Sequence, residues 1–276
     1  MDTTNELIFK DNNYRDYTNV SDAVKGHYQK MRTNQTYDYV REMKNKYLKF
    51  DKPLHLWDAL GKLDDLIDVS DPDLDLPNVQ HLIQSAEAIR ADNRPDWMQL
   101  VGLIHDVGKV MYLWGSDEDG TSQDEQWGLV GDVFVVGCEL PDTCVYPEFN
   151  ALNQDMTHDV YGTKYGVYEP NCGLQNLELA WGHDEYLYQV LKNHKTNLIP
   201  EAGMAMIRFH SFYPWHTGQS YNHLLAEEDA QVKEWINDFN TYDLYTKCER
   251  VTSLNEIMDH YKPIAEKYLG TEAINW

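Results

Sequence analysis

Gly102-Leu103-Ile104-His105-Asp106-Val107-Gly108-Lys109 is the stretch that decides how this chain folds and what it holds. It belongs to a helix expected from Asp96, just after Pro95, to about Trp114. Trp97, Leu100, Val101, Ile104, Val107 and Met111 make one apolar face of that helix, and Leu103, Val110 and Leu113 make another. A helix apolar on both sides is buried nearly all round. At about 100° per residue, His105, Asp106 and Lys109 share one sector, with Gly102 leaving space beside them. A carboxylate and an ammonium are costly in an interior unless they are paired or metal-bound. This helix alone leaves two readings open, a buried Asp–Lys pair with a hydrogen-bonded His or a metal site.

On the preceding expected helix, His81 lies off the Val79/Leu82/Ile83/Ala86 stripe and close to Ser85 and Ala88. Those small side chains allow close helix approach, and a short connection would bring His81 towards His105. His183, His210 and Asp243 each sit in an aromatic-rich setting. Taken singly, each of these residues reads as core packing or a partly exposed group. There is no Walker A loop, GxGxxG or HExxH, and no Ser or Cys visibly placed for a triad.

The whole chain narrows the choice. Its 276 residues, 42% hydrophobic and 12% aromatic, suffice for one large domain with a sizeable core. A formal charge of -23 argues against nucleic acid and anionic membrane surfaces as partners, since both are held by Lys and Arg. The N-terminus lacks the pattern of a signal peptide and no apolar run is long enough to span a bilayer, so a soluble, cytoplasmic protein is expected, with a monomer as the preferred state. Cys138, Cys144, Cys172 and Cys248 contain no CxxC and are expected as reduced thiols.

The chain reads as mainly helical. Ser21 is expected to cap a long helix to about Phe50, followed by a shorter one near 56–67. The Pro-punctuated acidic segment 68–77 reads as a turn, after which Asn78 is a candidate N-cap for a helix through Arg90. Further helices are expected near 174–193, 200–212, 226–240 and 253–268, with Pro200 suited to a first helical position. Residues 127–138 have the β-branched and Gly content of a strand or hairpin. Residues 115–126, acidic and rich in Gly, Ser and Asp, are expected as a flexible surface loop.

A histidine, a His-Asp pair about 24 residues later and a late aspartate, here His81, His105-Asp106 and Asp243, resemble the metal-binding order of the HD-domain superfamily. Five longer strings are more specific: Leu66-Ile67-Asp68-Val69-Ser70-Asp71-Pro72-Asp73, Gly102 to Lys109, Val130-Gly131-Asp132, Trp181-Gly182-His183-Asp184-Glu185-Tyr186, and His210-Ser211-Phe212-Tyr213-Pro214-Trp215-His216. In this order they are similar to the inositol oxygenase family, from about Tyr14 to Trp276.

That resemblance implies a mainly α, single-domain, HD-domain-like helical bundle over residues 1–276, with an N-terminal segment 1–20 and a small β-hairpin. It implies two Fe ions in a mixed-valent Fe(II)/Fe(III) site that uses O2 to cleave the ring of myo-inositol to D-glucuronate. His81, His105, Asp106 and Asp243 would bind one iron, and Asp106 would bridge to a second held by His183 and His210. Arg15, Asp68, Ser70, Lys109, Gly131, Asp132, Ser211 and Lys247 would surround the polyol, with Lys109 stabilising or deprotonating a hydroxyl. Four imidazoles and two carboxylates suit a first-row redox metal better than magnesium, while zinc stays open on ligand type. The loop 115–126 is longer and more acidic than the family pattern leads one to expect. The rival on the same scaffold is a phosphohydrolase, with Lys109, Arg208 and Lys247 as part of a phosphate clamp. A non-catalytic helical binding domain is the third reading.

Overall fold

The computed structural model describes residues 17–18, 20–71, 77–244 and 251–276. Arg15, Lys247 and Cys248 lie outside the described residues, as do most of the N-terminal segment 1–20 and part of the acidic turn.

The expected long first helix is two helices, α1 (Asp22–Asn34) and α2 (Tyr37–Tyr47). Ser21 caps α1 as expected, accepting a hydrogen bond from Val24 N. The break comes from Gln35 and Thr36. The buried Gln35 amide donates to the carbonyls of Trp127 and Trp181 and accepts from Trp181 N, while Thr36 caps α2 through Tyr39 N. Polar side chains that answer backbone groups in this way end one helix and begin the next.

Strand β1 (Pro53–Leu54) precedes α3 (Leu56–Lys62), which tightens into a 3-10 turn over Leu63–Asp65. Next come α4 (Asn78–Ala91) and α5 (Asp96–Ile104). The helix expected to reach Trp114 stops at Ile104, and Val107–Trp114 continues as a 3-10 turn. His105 and Asp106 therefore sit at a helix end. Beyond residue 126 come α6 (His183–Asn193), α7 (Glu201–Phe209), the single turn α8 (Tyr213–His216), α9 (Asp229–Asp243) and α10 (Leu254–Leu269). Pro200 is the N-cap of α7 rather than its first residue. Strand β2 (Ile274–Asn275) pairs antiparallel with β1 and seats the buried Trp276, whose indole donates to Leu54 O.

That pair is the small β element among the described residues. Residues 127–138 form turns instead of the expected strand or hairpin, with one isolated bridge from Val135 to Leu179. Their β-branched side chains pack into the core, and their amides pair with turns and with the segment before α6.

Helices α4, α5, α7 and α9 form a closed ring in which α4 packs on α5, α5 on α7, α7 on α9 and α9 back on α4. Helix α6 covers α7 and the 3-10 turn after α5, and α10 backs α5. Gly102 serves this packing, because a Cβ there would lie 2.7 Å from Ile89 Cδ1 and 3.1 Å from the Ala86 backbone. The space expected beside His105 is thus filled by α4. Gly108 plays the same part towards α6, where a Cβ would collide with His183 O.

Part of the loop 115–126 is anchored to the core, while Asp117, Glu118, Gln123 and Asp124 are exposed. Asp119, Gly120, Thr121 and Gln126 are buried. Gly120, at φ +72, lies flat against the Trp127 ring, where no side chain fits. No helix among the described residues is long and apolar enough to cross a membrane.

Candidate metal centre

The ring of helices gathers six metal-type side chains at places where helices begin or end. His81 lies in the first turn of α4, His105 caps the end of α5 with Asp106 next to it, His183 is the first residue of α6, His210 caps the end of α7, and Asp243 is the last residue of α9. His105 and His210 repeat one local geometry. Each directs Nδ1 at a carbonyl three residues back, Gly102 O at 3.0 Å and Ile207 O at 3.0 Å. His183 Nδ1 meets Leu129 O at 2.8 Å. A carbonyl at Nδ1 fixes the proton there and leaves Nε2 as a free lone pair, the arrangement a metal ligand requires.

Those Nε2 atoms converge. His81 Nε2 is 3.2 Å from His105 Nε2 and 2.8 Å from Asp243 Oδ1, which is itself 3.2 Å from His105 Nε2. On the other side, His183 Nε2 and His210 Nε2 lie 3.4 Å apart, at 2.9 and 3.3 Å from Asp106 Oδ1. The same Asp106 oxygen is 3.8 Å from His105 Nε2. Two ligand groups result, His81 with His105 and Asp106, and Asp106 with His183 and His210, sharing one carboxylate.

Asp106 presents Oδ1 to the histidines because its Oδ2 is held elsewhere, by Lys109 Nζ at 2.6 Å and Asn78 Nδ2 at 3.0 Å. Lys109 also reaches Asp68 Oδ2 at 2.7 Å, and Ser70 donates from both N and Oγ to Asp68 Oδ1. Burial opposes the charge on Lys109, yet Asp106 and Asp68 overcome it and raise the ammonium above its ordinary range. The two carboxylates thus favour the protonated form of Lys109. Burial likewise works against Asp106 and Asp243, but Lys109 with His105 and His183 holds the first well below the usual carboxylate range, and His105 with His81 does so for the second. Burial lowers His105, whereas Asp184 and Asp106 outweigh burial at His210 and raise it to about 9, so that without a metal ion its Nε2 keeps a proton that an ion would displace.

The residues fit metal ions. Asp68 and Asp106 share one ammonium, that of Lys109, while Asp243 lies against His81 and His105, and Asp184 against His183 and His210. Both Asp184 oxygens are buried without a hydrogen-bond partner. Such an excess of buried negative charge is unstable without added cations, and imidazole with carboxylate is a donor set for first-row metals.

A cavity opens beside the cluster, lined by Asp68, Ser70, Lys109, Gly131, Ser211 and Tyr213 together with all the ligand residues except His105. Gly131 holds φ +123 against Met31 and His27, a conformation that favours glycine. Asp132 is fully buried next to Gly131, outside this lining, and accepts from Val145 N. Of the cations invoked for a phosphate clamp, Lys109 lines the cavity, but Arg208 is bound to Glu185 and points elsewhere. Two residues escaped the reading of the sequence. Asn78, expected as a cap, is the first residue of α4 and turns its amide to Asp106. Its spacing of three from His81, on one helix face, was the available signal. Asp184 offered only its adjacency to His183.

Fold and site together define a helical metalloprotein with a buried histidine–aspartate centre. Comparison with known proteins makes this specific. The Myo-inositol oxygenase family model matches residues 21–276, and the chain belongs to that family. Inositol oxygenase of Mus musculus is 42% identical over 272 residues, covering 97% of this chain and 92% of the relative. Inositol oxygenase of Homo sapiens is 42% identical over 260 residues, with coverages of 92% and 88%, and that of Dictyostelium discoideum 39% over 268 residues, with coverages of 95% and 89%.

Proposed function

We propose that this chain is a di-iron oxygenase that uses O2 to open the ring of myo-inositol and release D-glucuronate. The observation that carries the proposal is Asp106 Oδ1 facing imidazoles on two sides at the mouth of a polar cavity. Membership of the family and the name of its relatives support the substrate.

His81, His105, Asp106 and Asp243 would hold one iron and Asp106, His183 and His210 the other, and an ion with so few protein ligands would supply a Lewis-acid site for a substrate diol. When bound, the mixed-valent pair supplies Lewis acidity and electrons for activating O2. The chain's own residues bind and orient the polyol. Asp68, with Ser70 and Lys109 already fixing its carboxylate, accepts from ring hydroxyls. Ser211 and the Gly131 backbone complete that wall, and by family likeness Arg15 and Lys247, outside the described residues, would also contact the polyol. The Lys109 ammonium donates a hydrogen bond to a substrate oxygen and stabilises negative charge on it. The ring of helices keeps water from the reacting carbon and holds one C–H bond in a single orientation. The enzyme is taken to act as a cytoplasmic monomer of one catalytic domain.

The test is oxygen uptake by anaerobically purified, iron-loaded protein with and without myo-inositol, with the product identified by mass spectrometry. Uptake that depends on myo-inositol and yields D-glucuronate is expected. Phosphate release from esters with no such uptake would put the phosphohydrolase reading in its place.

A further inference from the structure

In the proposed two-iron centre, the His81–His105 position has a carboxylate of its own, Asp243, but the His183–His210 position has only the shared Asp106. The role inferred for Asp184 rests on that two-iron reading. Asp184, next to His183 in the first turn of α6, is almost fully buried. Its Oδ1 lies 3.1 Å from His210 Nδ1 and its Oδ2 lies 3.5 Å from His183 Nδ1. It thus touches the outer edges of both histidines of the second position and of neither histidine of the first.

The carboxylate has no hydrogen-bond partner of its own, because both Nδ1 atoms already address the carbonyls of Leu129 and Ile207. The adjacent residue makes the contrast plain. Glu185 is equally buried, yet it is met by Arg208 Nε at 2.7 Å and Lys44 Nζ at 3.2 Å. Two acids enter the core side by side, one paired by protein cations and the other left against two imidazoles. A desolvated carboxylate in that position is stable when the rings carry positive charge on their far side. Carboxylates set behind ligating histidines also fix ring orientation and strengthen the ligand.

We infer that Asp184 is a positioning residue that supplies the counter-charge for the ion held by His183 and His210. That ion depends on it, and the ion held by His81, His105 and Asp243 does not.

Anaerobic titration of the metal-free full chain with Fe(II) reads the number of ions bound and their affinities. The parent binds two. Asp184→Asn, which removes the charge and keeps the shape, is expected to bind the first ion as the parent does and the second roughly 10- to 100-fold more weakly. Asp184→Glu restores the carboxylate and is expected to recover most of that loss. An Asp184→Asn protein that holds both ions as tightly as the parent, or weakens both alike, overturns the inference. So does an Asp184→Glu protein that binds no better than Asp184→Asn. If Asp184→Asn does not fold, Asp184→Glu is compared with the parent directly, and loss of its second ion counts against the role. A parent that binds fewer than two ions overturns the two-metal assignment itself, a distinct outcome.

Discussion

Acidic side chains enter the interior of this protein in two places, and they are treated differently. In the loop 115–126, Asp119 is closed on every side by protein donors. Its Oδ2 receives Lys46 Nζ at 2.6 Å and Tyr47 Oη at 2.8 Å, and its Oδ1 receives Thr121 Oγ1 at 2.6 Å. At the histidine–aspartate centre, Asp106 offers one oxygen to imidazoles only, Asp243 is met by two histidines, and Asp184 has no hydrogen bond at all. A buried carboxylate whose partners are complete holds structure together. One whose partners are imidazole lone pairs is waiting for a cation.

The contrast is broken most severely at its centre. Asp106→Asn removes the charge both ligand groups share, so inositol-dependent oxygen uptake should fall by more than the roughly 10- to 100-fold typical of residues behind the ligands. Retention of two ions and of turnover would show that Asp106 is structural, like Asp119. Lys109→Met comes next. It leaves Asp68 and Asp106 buried without their ammonium, and removal of one partner from a buried pair costs about 3–5 kcal/mol. Denaturant unfolding of metal-free protein measures this; a loss below about 1 kcal/mol would mean that Lys109 carries little of the centre's charge balance.

Asp119→Asn should cost less, about 1–3 kcal/mol at neutral pH, and leave the metal count unchanged. The pH dependence gives it a sign. Burial raises the Asp119 carboxyl, but hydrogen bonds from Lys46, Thr121 and Tyr47 bring it below its ordinary value. A carboxyl lowered by folding stabilises the protein above its unfolded pKa, about 3.9, and that contribution is lost as pH falls through the lower folded value. The stability gap between parent and variant should therefore narrow below about pH 4. A gap that widens on acidification contradicts the pairing. The smallest effect expected is on the loop itself. Chelation should speed amide exchange at the ends of α4, α5 and α7, while the amides of Thr121 and Gly128, bonded to Ser116 O and Gly120 O, keep their protection. Equal acceleration in both regions would show that the loop is coupled to the centre.

The same distinction governs how much was legible in the sequence. His105 and Asp106 stood out because charge on an all-apolar helix is conspicuous, and His81, His183, His210 and Asp243 because they occupy recognisable strings. The helix ends that aim them were hidden. A wheel drawn through 96–114 puts His105, Asp106 and Lys109 together, but the α-helix stops at Ile104 and a 3-10 turn carries Lys109 back to Asp106. The break at Gln35 was equally invisible, since it depends on backbone of Trp127 and Trp181, far along the chain. Over 115–126 the Gly- and Asp-rich composition suggested a surface loop, and Asp117, Glu118, Gln123 and Asp124 are exposed, but it gave no sign of the buried Asp119. Long-range partners, Lys46 and Tyr47, together with the adjoining Trp127, tie it to the core. Asp184 could not be told from its neighbour Glu185 by residue type, because only the fold decides which of them Arg208 reaches.

If one aspartate oxygen organises two metal positions, anomalous diffraction at the iron absorption edge, from crystals of the anaerobically loaded protein, reads it directly. Two peaks flanking Asp106, one against His81, His105 and Asp243 and one against His183 and His210, are the result predicted. A single peak, or peaks that leave Asp106 bound only by Lys109 and Asn78, would contradict it.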